Sequence, residues 1–366
     1  MTGAVARVAP VFSSVAAIGG ALLVGGLFLE ARGKDAIGAY RLMVERGLGS
    51  SFGLTEIAIK AAPLLLVGAG LLIALKAGVW NIGVDGQFLI GALAAGVVAP
   101  GLSESLPNAA VLLLAALGGA LGGLAWATIP AVLRVRFGLN EIITTLVMTS
   151  VAINLSAWLV KGPLKDPAVV PPQTRLLAKP ERLPDIPGTD VHVGLIAGVV
   201  AVGVVAVLFG ATVPGFRLWV LGQNPRAARH AGMDVGRLTA GALLASGALA
   251  GLAGANDVLG VRGLVQANWN PGYGFAGFAL VYLARLRPLG VIPVAFFFSF
   301  LLLGGDLMSR AAEIPTQFVE VLEGLMLVFF AVAVALERGR WPLRRRTPAV
   351  EGAPAPLPAQ ASGETA

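Results

Sequence analysis

Ten apolar runs constrain this chain more than any other feature of its sequence: 11–29, 61–75, 88–99, 109–132, 142–160, 193–213, 238–261, 275–284, 289–303 and 314–336. Hydrophobic residues make up 56% of the chain and charged ones only 13%, about half the charged share of a soluble domain. That much apolar surface needs lipid around it. The fold class is all-α integral membrane, with about ten transmembrane segments. A helix needs about 20 residues to cross about 30 Å of hydrocarbon, and several runs are shorter. Short, glycine-interrupted runs point to broken helices that line a cavity. The first run follows Arg7 and is about twenty residues long, beyond a signal-peptide core, so it reads as an uncleaved span.

Lys and Arg cluster in alternate connections: Arg134 and Arg136; Arg217, Arg226, Arg229 and Arg237; Arg285 and Arg287; and the tail from Arg338. The connections between them are balanced or nearly so, including the long loop 30–60 and the Pro-rich stretch 161–190, a candidate docking surface. The positive-inside rule then places both termini in the cytoplasm, with an even number of spans. The net charge of +7 is explained by this asymmetry, not by nucleic-acid binding. Residues 1–336 form a transmembrane domain. Residues 337–366, basic and then rich in Pro and Ala, read as a disordered cytoplasmic tail.

The chain has no cysteine, which excludes disulfides and thiolate metal sites. His192 and His230 are too few and too far apart for a metal centre and read as loop residues. No G-x-x-x-x-G-K-[ST], H-E-x-x-H or G-x-S-x-G occurs, so the chain is not an enzyme and does not hydrolyse ATP by itself. An intramembrane lipid enzyme would need a catalytic pair that the spacing does not offer. Energy for transport comes from an ion gradient or from a partner; in a secondary transporter the buried carboxylates would be Asp85, Glu141 and Asp257.

"WNIGVDGQFLIGALAAG" places Asn81, Asp85 and Gln87 at the mouth of an apolar run. A helix that starts within the membrane offers free N–H groups and a partial positive charge. Asp85 or Gln87 caps such a start, or the polar groups meet a solute. A faint echo, "NPGYGFAGF" from Asn270, opens another short run. These are the third and eighth of ten segments, so two five-span halves are inverted relative to each other, as in many transporters. Asn140, Glu141, Thr144, Thr145, Asn154, Asn256 and Asp257 add polar groups to the spans, where such groups are costly. Amides and hydroxyls dominate, which suits a neutral solute. Trp269, Tyr273 and Phe275 either stack on a sugar or base or sit at the headgroups. Two overlapping GxxxG pairs, Gly118/Gly122 and Gly119/Gly123, and Gly247/Gly251 with Ala250/Gly254, mark close helix contacts.

In "GFRLWVLGQNPRAARHAGMDVGRLTAGALLASGALAGLAG", Asn224 and Pro225 start a short basic helix over 225–230, joined to a glycine-rich span. A rigid, exposed cytoplasmic helix of this kind is a lever.

"GQNPRAARHAGM", "NIGVDGQFLIGA" and "GFAGFALVYLARLRPLGVIPVAFFFSFLLLGG" together resemble the permeases of ATP-binding-cassette (ABC) importers of the ribose/branched-chain amino-acid type. The first two, with "RFGLNEIITTLVMTSVAINLSAWLVKGPLKDP", are most similar to the nucleoside branch. The resemblance covers about 61–336. It implies a permease in a bacterial cell membrane, working by alternating access. Its implied partners are a cytoplasmic ABC ATPase that binds the ATP, a second related permease and an extracytoplasmic solute-binding protein. It assigns Gly222, Asn224, Pro225, Ala227, Ala228 and Gly232 to ATPase coupling, with Arg226 and Arg229 as ion-pair partners. It places Asn81, Asp85, Gln87, Asn140 and Glu141 near the path; Asp85 stands where Glu is expected.

Overall fold

The computed structural model describes residues 3–312, 314–315 and 317–337. Thirteen α-helices form among the described residues. Eight helical stretches are long and apolar enough to cross a membrane, and two shorter apolar helices complete the ten segments that the hydropathy pattern defines. The ten apolar segments are α1 (Gly3–Ala31), α3 (Ser51–Lys76), α4 (Val84–Leu102), α5 (Asn108–Phe137), α6 (Glu141–Lys161), α7 (Gly194–Ala211), α10 (Val235–Asn256), α11 (Tyr273–Leu283), α12 (Val291–Ala312) and α13 (Gln317–Glu337). The remaining helices are α2 (Ala36–Gly47), α8 (Val213–Gln223) and α9 (Pro225–His230). The expected tail, from residue 338 on, lies outside the described residues.

The run at 88–99 is short unless its helix extends back toward residue 81, and it does extend: α4 starts four residues earlier and spans 19 residues. One expectation needs correction: the connection at 30–60 is not a loop. It holds α2, whose start is capped by Asp35 accepting from the Gly38 N–H, and the first turns of α3. Arg41, Glu45 and Arg46 interrupt the apolar pattern there, yet Ala36, Ala39 and Met43 still give α2 a buried face.

The bundle's centre is a three-helix contact among α4, α5 and α10. A Cβ on Gly251 would meet the backbone of Gly119 and Gly123, and one on Gly123 would meet the Gly247 carbonyl. Of the two overlapping GxxxG pairs, Gly119/Gly123 makes this contact, while Gly118 and Gly122 face the roomier side toward Val98 and Ala94. With no hydrophobic driving force between helices in lipid, such close backbone approach supplies the dispersion energy. Leu64, Leu65, Leu66, Leu71 and Leu72 of α3 are fully buried beside it, which makes α3 the axial helix. At one edge α1 joins α13, with Phe28 and Phe318 stacked at 6.4 Å.

Residues 162–193 hold no long element but are firmly attached. The N–H groups of Thr174, Leu177 and Leu183 donate to the carbonyls of Val265, Gly263 and Leu259 at 2.8–3.0 Å. The acceptors belong to the wide turn Asp257–Arg262 that continues α10, where the hydrogen-bond pattern shifts by one residue, and to the loop after it. A π-type stretch frees carbonyls from the helix, and the loop uses the Leu259 carbonyl. His192 is buried under this loop. Its Nδ1 accepts from the Gly194 N–H at 3.1 Å, and burial lowers its pKa despite nearby Asp185.

Candidate functional site

The short helix α11 sets the geometry. Eleven residues span about 16 Å, half the hydrocarbon thickness. Its start is Gly272, at φ 71°, which has no side chain to cap the helix. The cap comes from α4: Asp85 Oδ1 accepts from the Gly274 N–H at 2.6 Å. Around this contact the chains run in opposite directions. Tyr273 meets Phe88 edge-on at 5.5 Å, whereas Phe278 stacks on Trp80 at 6.2 Å. The third and eighth spans therefore begin beside each other and diverge, as inverted halves require. The carboxylate at the mouth of "VDGQFLIGALAAG" is spent on the partner half-helix, whose positive end it neutralises.

Asn81 and Gln87 have a different role. They exchange both amide hydrogen bonds, Asn81 Nδ2 to Gln87 Oε1 at 2.8 Å and Gln87 Nε2 to Asn81 Oδ1 at 3.0 Å. Asn81 also donates to Ser246 Oγ on α10 at 2.9 Å, and all three side chains are at most 1% exposed. This closed network, together with Thr145 Oγ1 accepting from the Ile82 N–H at 3.1 Å, pins the turn between α3 and α4. Both amides have protein partners on nitrogen and oxygen alike.

A cavity of about 770 Å³ lies on the other side of the α11 start. Trp269, Asn270, Tyr273 and Phe275 line one side, Lys60, Arg262 and Asp306 a second, and Gln317, Glu320 and Glu323 of α13 the third. Lys60 Nζ pairs with Asp306 at 3.0 Å. Arg262 Nε lies 3.5 Å from Asp257, and its guanidinium covers the Trp269 ring at 4.4 Å. One face of Trp269 is therefore covered, and its Nε1 is buried. Phe275 is 48% exposed. Asn270 shapes the turn by accepting from the Gly272 N–H at 3.1 Å.

Of the polar positions singled out in the sequence, Trp269, Asn270 and Tyr273 line the cavity and Asp85 stands directly behind it. The others serve elsewhere. Asn140 caps α6 through the Ile142 N–H. Glu141 pairs with Arg134 at 3.1 Å. Thr144 bonds carbonyls in its own turn, and Asn154 donates to the Ser150 carbonyl. Asn256 donates to the Gly194 carbonyl at 3.1 Å. The sequence reading did not single out Lys60, Arg262, Asp306, Gln317, Glu320 or Glu323 for this site. The signal for the last two was present: carboxylates three apart in an otherwise apolar span share a helix face.

At the opposite end of the bundle, Asn224 Oδ1 accepts from the N–H groups of Arg226 and Ala227 at 3.0 and 3.1 Å. Pro225 occupies the first turn and Ala228 is buried, while Arg226 and Arg229 are exposed. Gly232 closes the helix at φ +75°. Gly222 has a separate reason to be glycine, since a Cβ there would meet the Lys76 carbonyl and Gly78. The end of α8 thus rests on the turn that leads to Asn81 and Asp85.

The family described as the branched-chain amino acid transport system permease component matches residues 53–331. The glucose ABC transporter permease protein TsgB13 of Haloferax volcanii is 37% identical, over 87% of each chain. The guanosine ABC transporter permease protein NupP of Bacillus subtilis is 28% identical, over 86% of this chain and 91% of its own. A second guanosine permease protein of that organism, NupQ, is 24% identical, over 80% and 95%.

Proposed function

We propose a solute class and a set of partners for this chain from one premise: it belongs to the branched-chain amino acid transport permease family, and is a multi-pass membrane permease subunit of an ABC transporter. The solute is neutral and rich in hydroxyls, a sugar or a nucleoside. The observation that carries this reading is the cavity at the meeting of α4 and α11. Its two cations, Lys60 and Arg262, already have acidic partners, and its remaining polar groups suit hydroxyls. Relatives that carry glucose and guanosine in their names support the same class. An ion-coupled carrier finds no support among these relatives.

The partners are a separate cytoplasmic ABC ATPase, an extracytoplasmic solute-binding protein and a second permease. The occurrence of NupP and NupQ in one organism supports a heterodimer. Both termini and α9 face the cytoplasm, where the exposed Arg226 and Arg229 meet acidic groups of the ATPase. Movement of α9 passes through Gly222 to the turn 77–83 and from there to the starts of α4 and α11, which opens the cavity to alternate sides. The test is uptake of labelled glucose and guanosine by cells that carry or lack this chain. Uptake of at least one that depends on the chain supports the reading; no dependence for either contradicts it.

A further inference from the structure

A second cavity, of about 740 Å³, lies at the end of the bundle that carries α9. Two contacts fix its place. Tyr282, on its wall, packs against Trp80 with ring centroids 6.1 Å apart. The turn that holds Trp80 also holds Gly78, against which Gly222 of α8 rests. One side of the cavity is a face of α13: Leu327, Phe330, Ala331, Val334 and Ala335. Their spacing puts them on one side of the helix, and they rise about 12 Å along its axis. Ala331 is exposed and Leu327, Val334 and Ala335 are half-buried, so this apolar stripe is open. The other side is the connection after α11, where Arg285, Leu286 and Arg287 all line the cavity. Arg285 and Leu286 both have left-handed backbones, at φ 53° and 56°. That conformation is costly for residues other than glycine, and here it turns three consecutive residues to one cavity. The Arg285 guanidinium lies 5.9 Å from the Phe330 ring centroid, and Arg287 is exposed. Among the described residues that line the cavity there is no Asp or Glu.

Two cations at one end of an open apolar groove match an amphiphile with an anionic head. We infer that the groove holds an anionic phospholipid of the cytoplasmic leaflet, its phosphate at Arg285 and Arg287 and one acyl chain along the α13 stripe. Basic pockets between spans on the cytoplasmic side take such headgroups, and the guanidinium fork suits phosphate oxygens. The stripe covers most of one leaflet's share of the hydrocarbon, about 15 Å. A soluble anion would use the arginines and leave the stripe bare. An uncharged lipid would do the reverse. The lipid lies beside the turn 77–83 and braces the end of α11 there. From the transport reading above, the inference takes only that the α9 end is cytoplasmic.

The test uses the purified full chain, stripped of lipid in an uncharged detergent and titrated with dioleoylphosphatidylglycerol or dioleoylphosphatidylcholine. Native mass spectrometry counts the chains that carry a lipid. Wild type binds its first phosphatidylglycerol roughly 30-fold tighter than its first phosphatidylcholine, the value of two arginines near an anionic headgroup. The Arg285→Gln/Arg287→Gln double variant loses that preference, while Arg285→Lys/Arg287→Lys, which keeps both charges, retains most of it. Ala331→Phe leaves both arginines in place, fills the groove and loses the tight phosphatidylglycerol site. Glycerol 3-phosphate, a head without chains, does not displace the lipid at the same concentration. Equal binding of the two lipids by wild type overturns the inference whatever the variants do, and so does an undiminished preference in the double Gln variant. Displacement by glycerol 3-phosphate, or full binding by Ala331→Phe, makes this a site for soluble anions and overturns the lipid. Displacement by an added second permease makes the groove a subunit interface and overturns it too. Binding is read here without transport, so each of these failures leaves the transport reading standing, and a chain that moves no solute leaves the lipid result standing.

Discussion

Replacing Asn81 by Leu tests whether the turn before α4 is held by polar pairing within the protein. The two side chains have nearly the same shape, so the change is chiefly the loss of polarity. It removes three hydrogen bonds, two with Gln87 and one with Ser246. The Gln87 amide keeps both its donor and its acceptor but loses a partner for each, in a site at most 1% exposed. Each orphaned group costs about 1–3 kcal/mol, so with two of them Asn81→Leu destabilises by about 2–6 kcal/mol. Ser246 adds little, because its hydroxyl can turn to a carbonyl of its own helix. Gln87→Met in the same background removes the orphan, so the double variant is more stable than Asn81→Leu alone by about 2 kcal/mol or more. Unfolding of the purified protein by sodium dodecyl sulfate in mixed micelles, followed by tryptophan fluorescence, measures each free energy. An Asn81→Leu protein within about 0.5 kcal/mol of wild type, the scatter of independent sites, would refute the network. So would additive losses in the double variant.

Further outcomes follow from other contacts. Gly251→Val forces a side chain into the backbone of Gly119 and Gly123. It destabilises by about 1–3 kcal/mol by overpacking, while Gly118→Ala, on the roomier face, is neutral in the same unfolding assay. Because burial holds the His192 pKa below its ordinary 6.5, the unfolded chain takes up the proton first. Stability is therefore lost as pH falls below about 6.5. The thermal midpoint drops over that range in wild type and drops less in His192→Gln.

The ten apolar segments are legible in the sequence because transfer into lipid is a sum along the chain, insensitive to which helix lies next to which. The α9 lever is legible for a similar reason: its cap, its proline and its closing glycine are local chemistry within 224–232. The cavity is another matter. Lys60, Arg262, Asp306 and Glu323 come from four helices or their continuations, and only their encounter makes a site. Asp85 shows the limit most clearly. The sequence marks it as a cap at a helix start, and it is one, but for α11, a helix 188 residues further along the chain (Asp85 to Tyr273). Asn81 and Gln87 read as polar groups in need of partners. That the partners are each other and Ser246 depends on how α10 packs, which no local pattern contains. The 30–60 region reads as a loop because charges in α2 mask an amphipathic face too short to show a clear period.

The most direct test of the account is transport by this chain reconstituted with its ATPase, second permease and binding protein in sealed vesicles. The account predicts uptake that requires ATP and survives a protonophore. It also predicts that uptake is lost in the Arg226→Glu/Arg229→Glu double variant, although that protein inserts and folds normally. Solute accumulation by this chain alone on an ion gradient, or full ATP-driven uptake by the double variant, would contradict it.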